Sequence, residues 1–271
     1  MVNGYLANSL EEALKIRKEH DVIPYGGGTD LMVAGTKGEF LFLHKVPEMK
    51  QITVDEDYVR IGASCTFTEV LESDFVPELM KEAVSRIAAP AIRNTGTMGG
   101  NIGNGSAKAD SVLIEYVADA KLVIASADCV RIVPIMDFYK GRKQLDLADD
   151  ELIVEILLPE AGLSNYYYKK VGARNALAIS RVSFAGVIDL EGDVIRNLAV
   201  GFGAVEATVI RHKEIEAMLI GKTVEEAKAL KDEFLAAYDE VIRPIQGRVS
   251  KDYRKKVCMR LLKDFLSEKG I

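Results

Sequence analysis

The stretch Arg93-Asn94-Thr95-Gly96-Thr97-Met98-Gly99-Gly100-Asn101-Ile102-Gly103-Asn104-Gly105-Ser106-Ala107-Lys108-Ala109-Asp110 decides how this chain is read. It holds five glycines and three asparagines. Glycine reaches positive φ and lets another group approach the backbone closely. The composition therefore predicts a loop rather than a helix or a core strand. Successive N–H groups in such turns form a concave nest that binds anions. A second cluster, Gly26-Gly27-Gly28-Thr29-Asp30, follows the apolar run Val22-Ile23-Pro24-Tyr25. Two glycine-rich loops in one domain point to two clamps on one extended, phosphate-bearing ligand.

Upstream of the first loop, Ser9-Leu10-Glu11-Glu12 reads as a capping box that opens a helix ending near Glu19. A strand at 22–25, the loop, a short helix at 31–34 capped by Thr29 or Asp30, and a buried strand at 40–43 follow in order. That order is an α/β signature. Ile52, Val54, Val59 and Ile61 alternate around the turn Asp55-Glu56-Asp57 and predict a hairpin. Thr66-Phe67-Thr68-Glu69 is a second capping box, and Pro77 opens the next helix. A helix over 110–117 and strands over 122–126, 130–133 and 152–158 complete the first region. The pattern breaks at Pro159–Asn165. Beyond it, strands over 182–190 and 194–205 turn at Glu191-Gly192-Asp193, and the remainder is helical. Thr223-Val224-Glu225-Glu226 is a third capping box, and Ser250 caps the last helix.

At 271 residues the chain can bury a sizeable core, and two domains are expected, 1–163 and 164–271. It is 48% hydrophobic and 28% charged, with mean hydropathy +0.06, as in ordinary globular proteins. A net charge of −6 argues against nucleic-acid binding. No apolar run approaches the length of a membrane span, and the N-terminus does not read as a signal peptide. Cys65, Cys129 and Cys258 are widely spaced and fit free thiols in a cytoplasmic protein. Without a C-x-x-C pair, and with His20, His44 and His212 isolated, no metal or iron–sulfur site is expected in this chain. Gly221-Lys222-Thr223 resembles half of a P-loop, but Glu216 stands where the first glycine is required. Gly201-Phe202-Gly203 begins a dinucleotide fingerprint that fails at Glu206.

Four segments carry a family resemblance: Pro24-Tyr25-Gly26-Gly27-Gly28-Thr29-Asp30-Leu31; Thr97-Met98-Gly99-Gly100-Asn101 with Asp110 downstream; Phe138-Tyr139 with the run from Asp150 through Ile153 to Pro159; and Tyr168-Lys169-Lys170-Val171-Gly172-Ala173-Arg174. In these the chain resembles the FAD-binding medium subunits of molybdenum hydroxylases, the group of carbon monoxide, xanthine and nicotinate dehydrogenases. The resemblance implies an α+β fold. Its first domain would be a two-subdomain FAD-binding domain of the vanillyl-alcohol-oxidase type, with the flavin between the subdomains. Its second would be a small antiparallel sheet packed with helices. It implies non-covalent FAD contacts at residues 24–31 and 97–101, at Asp110 and Ile153, and at Lys169 near the pyrimidine edge of the ring. Arg174 is a further candidate for that region. Ile87 stands where some relatives place an aromatic at the flavin. Asp110 also reads as a cap of the following helix, and Ile153 as core. A molybdenum cofactor and 2Fe-2S clusters would lie on large and small partner subunits, with NAD(P)+ or another acceptor downstream. A stand-alone flavin oxidoreductase on the same fold and a non-redox nucleotide-binding scaffold are the alternative readings.

Overall fold

The computed structural model describes residues 3–55 and 57–271. The chain runs β1 (Gly4–Leu6), α1 (Leu10–Glu19), β2 (Val22–Tyr25), α2 (Leu31–Ala34), β3 (Glu39–Phe42), a 3-10 turn (Pro47–Met49), β4 (Ile52–Val54) and β5 (Tyr58–Gly62). Next come α3 (Phe67–Glu72), α4 (Glu78–Ser85), α5 (Pro90–Arg93), α6 (Met98–Gly103) and α7 (Asp110–Val117). After these stand β6 (Lys121–Ala125), β7 (Val130–Pro134), α8 (Ile135–Phe138), β8 (Tyr139–Gly141), β9 (Gln144–Leu145) and β10 (Leu152–Pro159). The last part holds β11 (Tyr166–Val171), β12 (Val182–Glu191), β13 (Val194–Gly203), α9 (Lys213–Glu216), α10 (Val224–Val241) and α11 (Lys251–Glu268). The fold mixes helix and sheet. Among the described residues no helix is long and apolar enough to cross a membrane.

Two compact units emerge. The first contains residues 1–76, 88–106 and 119–160, the second 77–87, 107–118 and 161–271. The second unit thus takes α4 and α7 from the sequence before residue 163.

In the first unit, β1 and β2 flank β3 in a parallel three-stranded sheet. A five-stranded antiparallel sheet has the order β4-β5-β10-β6-β7. Its hairpin β4–β5 turns where Asp55 Oδ1 accepts from the amides of Asp57 and Tyr58. Glu56 of that turn lies outside the described residues. The central β10 is apolar almost throughout because successive residues, and hence both of its faces, are buried, and its register shifts between Ile153 and Glu155. Such a bulge bends a strand and re-aims its side chains.

Thr66 and Glu69 satisfy each other's backbone amides, as do Thr223 and Glu226. At α1 the box is one residue wider. Ser9 accepts from Glu12 N, but the Glu12 carboxylate accepts from Asn8 N.

The second unit is built on the antiparallel sheet β11-β12-β13. Phe184, Phe202, Phe234, Tyr238 and Phe265 form its core, with Phe184–Phe202 and Phe234–Tyr238 ring centroids each 5.1 Å apart. Gly186 leaves room for the Phe265 ring, which would lie 2.9 Å from a Cβ there. The ion pair of Arg211 with Glu216, 3.0 Å apart, is wholly buried, and Glu216 also accepts from Val200 N.

Every residue of α7 is buried. Glu115 on it is fully inaccessible, and neither carboxylate oxygen has a hydrogen-bond partner among the described residues. Burial without a partner pushes its pKa from 4.5 up to about 8. Below pH 4.5 the group is neutral in both states. Between there and about pH 8 the unfolded chain ionises while the folded one keeps its proton, so stability falls across that window by on the order of 4 kcal/mol. Glu115→Gln removes this slope. Urea unfolding at pH 5 and pH 8 checks it: the wild type should lose stability between the two and the variant should not. Equal losses in both proteins would mean that the carboxylate reaches water.

Candidate functional site

The first glycine loop connects β2 to α2, and its geometry is set by contacts that admit no side chain. A Cβ on Gly27 would lie 1.8 Å from the Thr95 carbonyl oxygen, and one on Gly26 would lie 2.4 Å from Thr97 Oγ1. Gly28 has φ +68°, a left-handed conformation that L side chains rarely adopt, and a Cβ there would fall 1.9 Å from the Tyr25 hydroxyl oxygen. The two glycine loops therefore pack directly on each other. Tyr25 in turn stands against Phe40 and Phe42, with centroids 5.6 and 5.0 Å away.

The second loop corrects the sequence expectation. Residues 98–103 form a helix despite three glycines in six positions. Three contacts offset the poor propensity. Thr97 caps the helix by accepting from Gly100 N at 3.1 Å. Met98 N donates to Cys65 O, and Gly99 N donates to Ala63 O. Gly99 lies so close to Ala63 that a Cβ would be 2.8 Å from that carbonyl. Met98 itself is buried in the core.

The two loops differ in what their amides do. The N–H groups of Met98, Gly99, Gly100 and Asn101 are all consumed by protein acceptors. Those of Gly26, Gly27, Gly28 and Thr29 donate to no protein acceptor among the described residues. Four consecutive unsatisfied donors lie along one turn. Buried or half-buried amides are almost always paired, so this run calls for an external acceptor.

These amides line a cavity of about 440 Å³ within the first unit. Its walls include Pro24, Gly26 to Leu31, Thr97, Gly99, Gly100, Asn101 and Ile153. Of the sequence candidates in this unit, only Tyr25 and Met98 fall outside its walls. The bulge in β10 presents Ile153 there.

Sequence reasoning missed Arg17, Ala63, Ser64, Gly103, Asn104 and Lys143, which also line the cavity. Arg17 donates from Nη1 to Val22 O, while its buried Nε meets no acceptor among the described residues. Burial lowers its pKa, against the opposing pull of Asp149, Asp21 and Asp150. Glu151 also lines the cavity, but its carboxylate is held by Arg131 at 2.7 and 2.8 Å and by Ala148 N. The bond to Arg131 keeps it ionised, lowering its pKa. Gly103 faces the cavity, where a Cβ would meet only Ile153 Cδ1, at 3.9 Å. Its signal was its place one turn after Gly99 and Gly100.

Ile87, Asp110 and Lys169 belong to the second unit. Ile87 is half-buried just beyond the C-cap of α4. Asp110 is not a cap. Ala109 holds that position, and Asp110 sits in the first turn of α7 with no capping bond. Its buried carboxylate instead pairs with Lys170 Nζ at 2.7 Å and accepts from Ser180 Oγ at 2.7 Å. Strand alternation separates the neighbouring lysines. Lys170 and Tyr168 share the face that meets Asp110 and Arg86, whereas exposed Lys169 lies over the Tyr167 ring, 5.3 Å from its centroid. Arg174 turns back on its own loop, donating to Ala176 O and Leu177 O.

The cavity's size suits a cofactor cleft, and its free amides suit a phosphate group. A dinucleotide cofactor is the class of ligand that combines the two. Comparison with known proteins gives the family. The FAD binding domain in molybdopterin dehydrogenase matches residues 1–161, and the CO dehydrogenase flavoprotein C-terminal domain matches residues 166–269. The chain is 32% identical over 259 residues to the putative xanthine dehydrogenase FAD-binding subunit XdhB of Escherichia coli K12, covering 89% of this chain and 86% of that one. It is 27% identical over 287 residues to the nicotinate dehydrogenase FAD-subunit of Eubacterium barkeri, covering 97% and 96%. In fold it is similar to a chain of carbon monoxide dehydrogenase from Hydrogenophaga pseudoflava, with TM-score 0.90, 23% identity, and coverage of 98% and 96%. The chain belongs to the FAD-binding flavoprotein subunits of the molybdopterin dehydrogenase family, and is thus an FAD-dependent oxidoreductase subunit.

Proposed function

We propose that this chain carries one FAD, non-covalently, as the electron-transfer subunit of a cytoplasmic molybdenum hydroxylase. Its fold is read as the vanillyl-alcohol-oxidase type, divided at residue 163. The observation that carries the proposal is the run of four unpartnered amides at Gly26, Gly27, Gly28 and Thr29 on the cavity wall. These residues bind the cofactor's diphosphate, with the Arg17 Nε–H as a further donor. Pro24, Tyr25, Asp30, Leu31, Thr97, Met98, Gly99, Gly100 and Asn101 shape and support the cradle. Ile153 contributes an apolar wall.

Among the second unit's residues, Asp110 contacts the cofactor's hydroxyl-bearing part, and Ile87 supplies an apolar contact. Lys169 supplies a cation that favours added negative charge on the ring. The flavin, when bound, supplies one- and two-electron redox chemistry. The chain needs no acid, base or nucleophile of its own. Electrons arrive from two 2Fe-2S clusters on a small subunit, downstream of a molybdenum cofactor on a large subunit, and leave to NAD(P)+ or another acceptor.

Two experiments test this reading. Isolated protein should oxidise no hydroxylase substrate, and turnover should appear once a molybdenum-cofactor chain and an iron–sulfur chain are added. Substrate oxidation by the isolated chain would instead favour a self-sufficient flavoenzyme. Lys169→Met should lower the flavin midpoint potential in a spectroelectrochemical titration while leaving FAD content normal. An unchanged midpoint would place the Lys169 ammonium away from the ring.

A further inference from the structure

A second cavity, of about 320 Å³, lies wholly within the second unit and is lined by five cationic side chains: Lys108, Arg174, Arg181, Arg248 and Arg254. None of its lining residues among those described is acidic. Even without Lys108, which has a partner of its own, the arginines bring like charge together in a chain of net charge −6, and that is costly unless an anion compensates it. We propose that this cavity is an oligophosphate-binding site, taking the phosphate end of a soluble nucleotide other than FAD.

The strongest pointer is Arg254. It lies in the first turn of the 18-residue α11 and is only 4% exposed, yet it borders the cavity. Its Nη1 donates to Ala204 O at 3.1 Å, while its Nε–H finds no acceptor among the described residues. One carbonyl offsets the desolvation of a buried guanidinium only in part. The site is also shaped around it. A Cβ on Gly247 would lie 2.2 Å from Arg254 Nη2, so glycine there allows the chain to lie against the guanidinium and carry Arg248 to the rim.

Arg174 is committed to its own loop, but Arg181, Arg248 and Arg254 remain, and the planar guanidinium fork matches phosphate oxygens in bidentate fashion. A single carboxylate would engage one guanidinium group, whereas a di- or triphosphate spans several. Asp110, which accepts from the hydroxyl of the lining Ser180, is already paired with Lys170 and does not neutralise these cations. The apolar remainder of the wall, including Leu177 and Ile179, suits the organic part of a nucleotide rather than bare inorganic anion. Leu177 holds φ +54°, a strained conformation of the kind that clusters at ligand sites.

The test is calorimetric titration of FAD-saturated protein with inorganic pyrophosphate, with ADP and with succinate. Saturating FAD occupies the first unit's cavity, so failure of the flavin reading shows separately as protein that does not load. Pyrophosphate and ADP should bind, ADP more tightly, both weakening as salt rises. Succinate should not bind. The double variant Arg181→Gln/Arg248→Gln removes two half-buried or exposed cations without touching the core, and should weaken ADP at least about tenfold with normal FAD content. Arg254→Lys should weaken it further. If Arg254→Lys fails to fold, the double variant alone decides. The proposal is overturned if wild-type protein binds neither phosphate probe, if succinate binds as well as pyrophosphate, or if the double variant binds ADP like the wild type. Displacement of the probes by FAD would equally overturn it, since they would then have occupied the flavin cavity.

Discussion

Replacing Gly103 by leucine should empty the flavin site while leaving the fold intact. The new side chain starts from a helical position whose Cβ meets nothing closer than 3.9 Å, and it projects into the cavity. Leucine also favours helix over glycine by roughly 0.8 kcal/mol, so the short helix should not suffer. Inserted bulk in a fitted site costs about 1–3 kcal/mol, which corresponds to a loss of FAD affinity of about a hundredfold at the upper end.

Gly27→Val gives the contrast. Its Cβ would fall 1.8 Å from the Thr95 carbonyl, so the two glycine loops could no longer pack. That variant should lose FAD binding and thermal stability together. The comparison requires only FAD titration and thermal unfolding of both proteins. Normal FAD affinity in Gly103→Leu protein would place the cofactor outside this cavity.

Lys170→Met should destabilise the protein by about 3–5 kcal/mol, the usual consequence of removing one partner of a buried ion pair. The Asp110 side chain is 3% exposed and its pairing lysine 10%. Without Lys170 the carboxylate retains the Ser180 hydroxyl alone among the described residues. Adding Asp110→Asn should recover most of the loss, and a double-mutant cycle in urea measures the coupling directly. A cost below about 1 kcal/mol for the single variant would show that the pair is effectively solvated. The same substitution at Lys169, on the opposite face of the strand, should leave stability nearly unchanged.

The contrast between these lysines shows where sequence reading stops. Nothing in the pair Lys169-Lys170 says which of them faces inward, because the phase of β11 depends on which face packs against α11, a contact distant in sequence. Helix starts at Thr66, Thr223 and Ser250 were legible because a capping side chain acts within three residues of itself. The helix at 98–103 was not, because its amides are satisfied by Ala63 and Cys65, more than thirty positions upstream. The three-residue strand β1 and the small hairpin β8–β9 are too short for a periodic signal. Both glycine loops were visible as ligand candidates. Their division of labour was not, since it depends on which amides the rest of the chain already occupies. Arg17 and Lys143 reach the cavity from a helix and a loop that carry no motif.

The most direct test of the account is the flavin content of the purified chain, read by absorbance before and after denaturation. One FAD per chain should be present or taken up on addition. All of it should appear in the supernatant once the protein is unfolded. A folded protein that takes up no FAD would contradict the assignment of the Gly26–Thr29 amides, and flavin that stays with the denatured chain would contradict non-covalent binding.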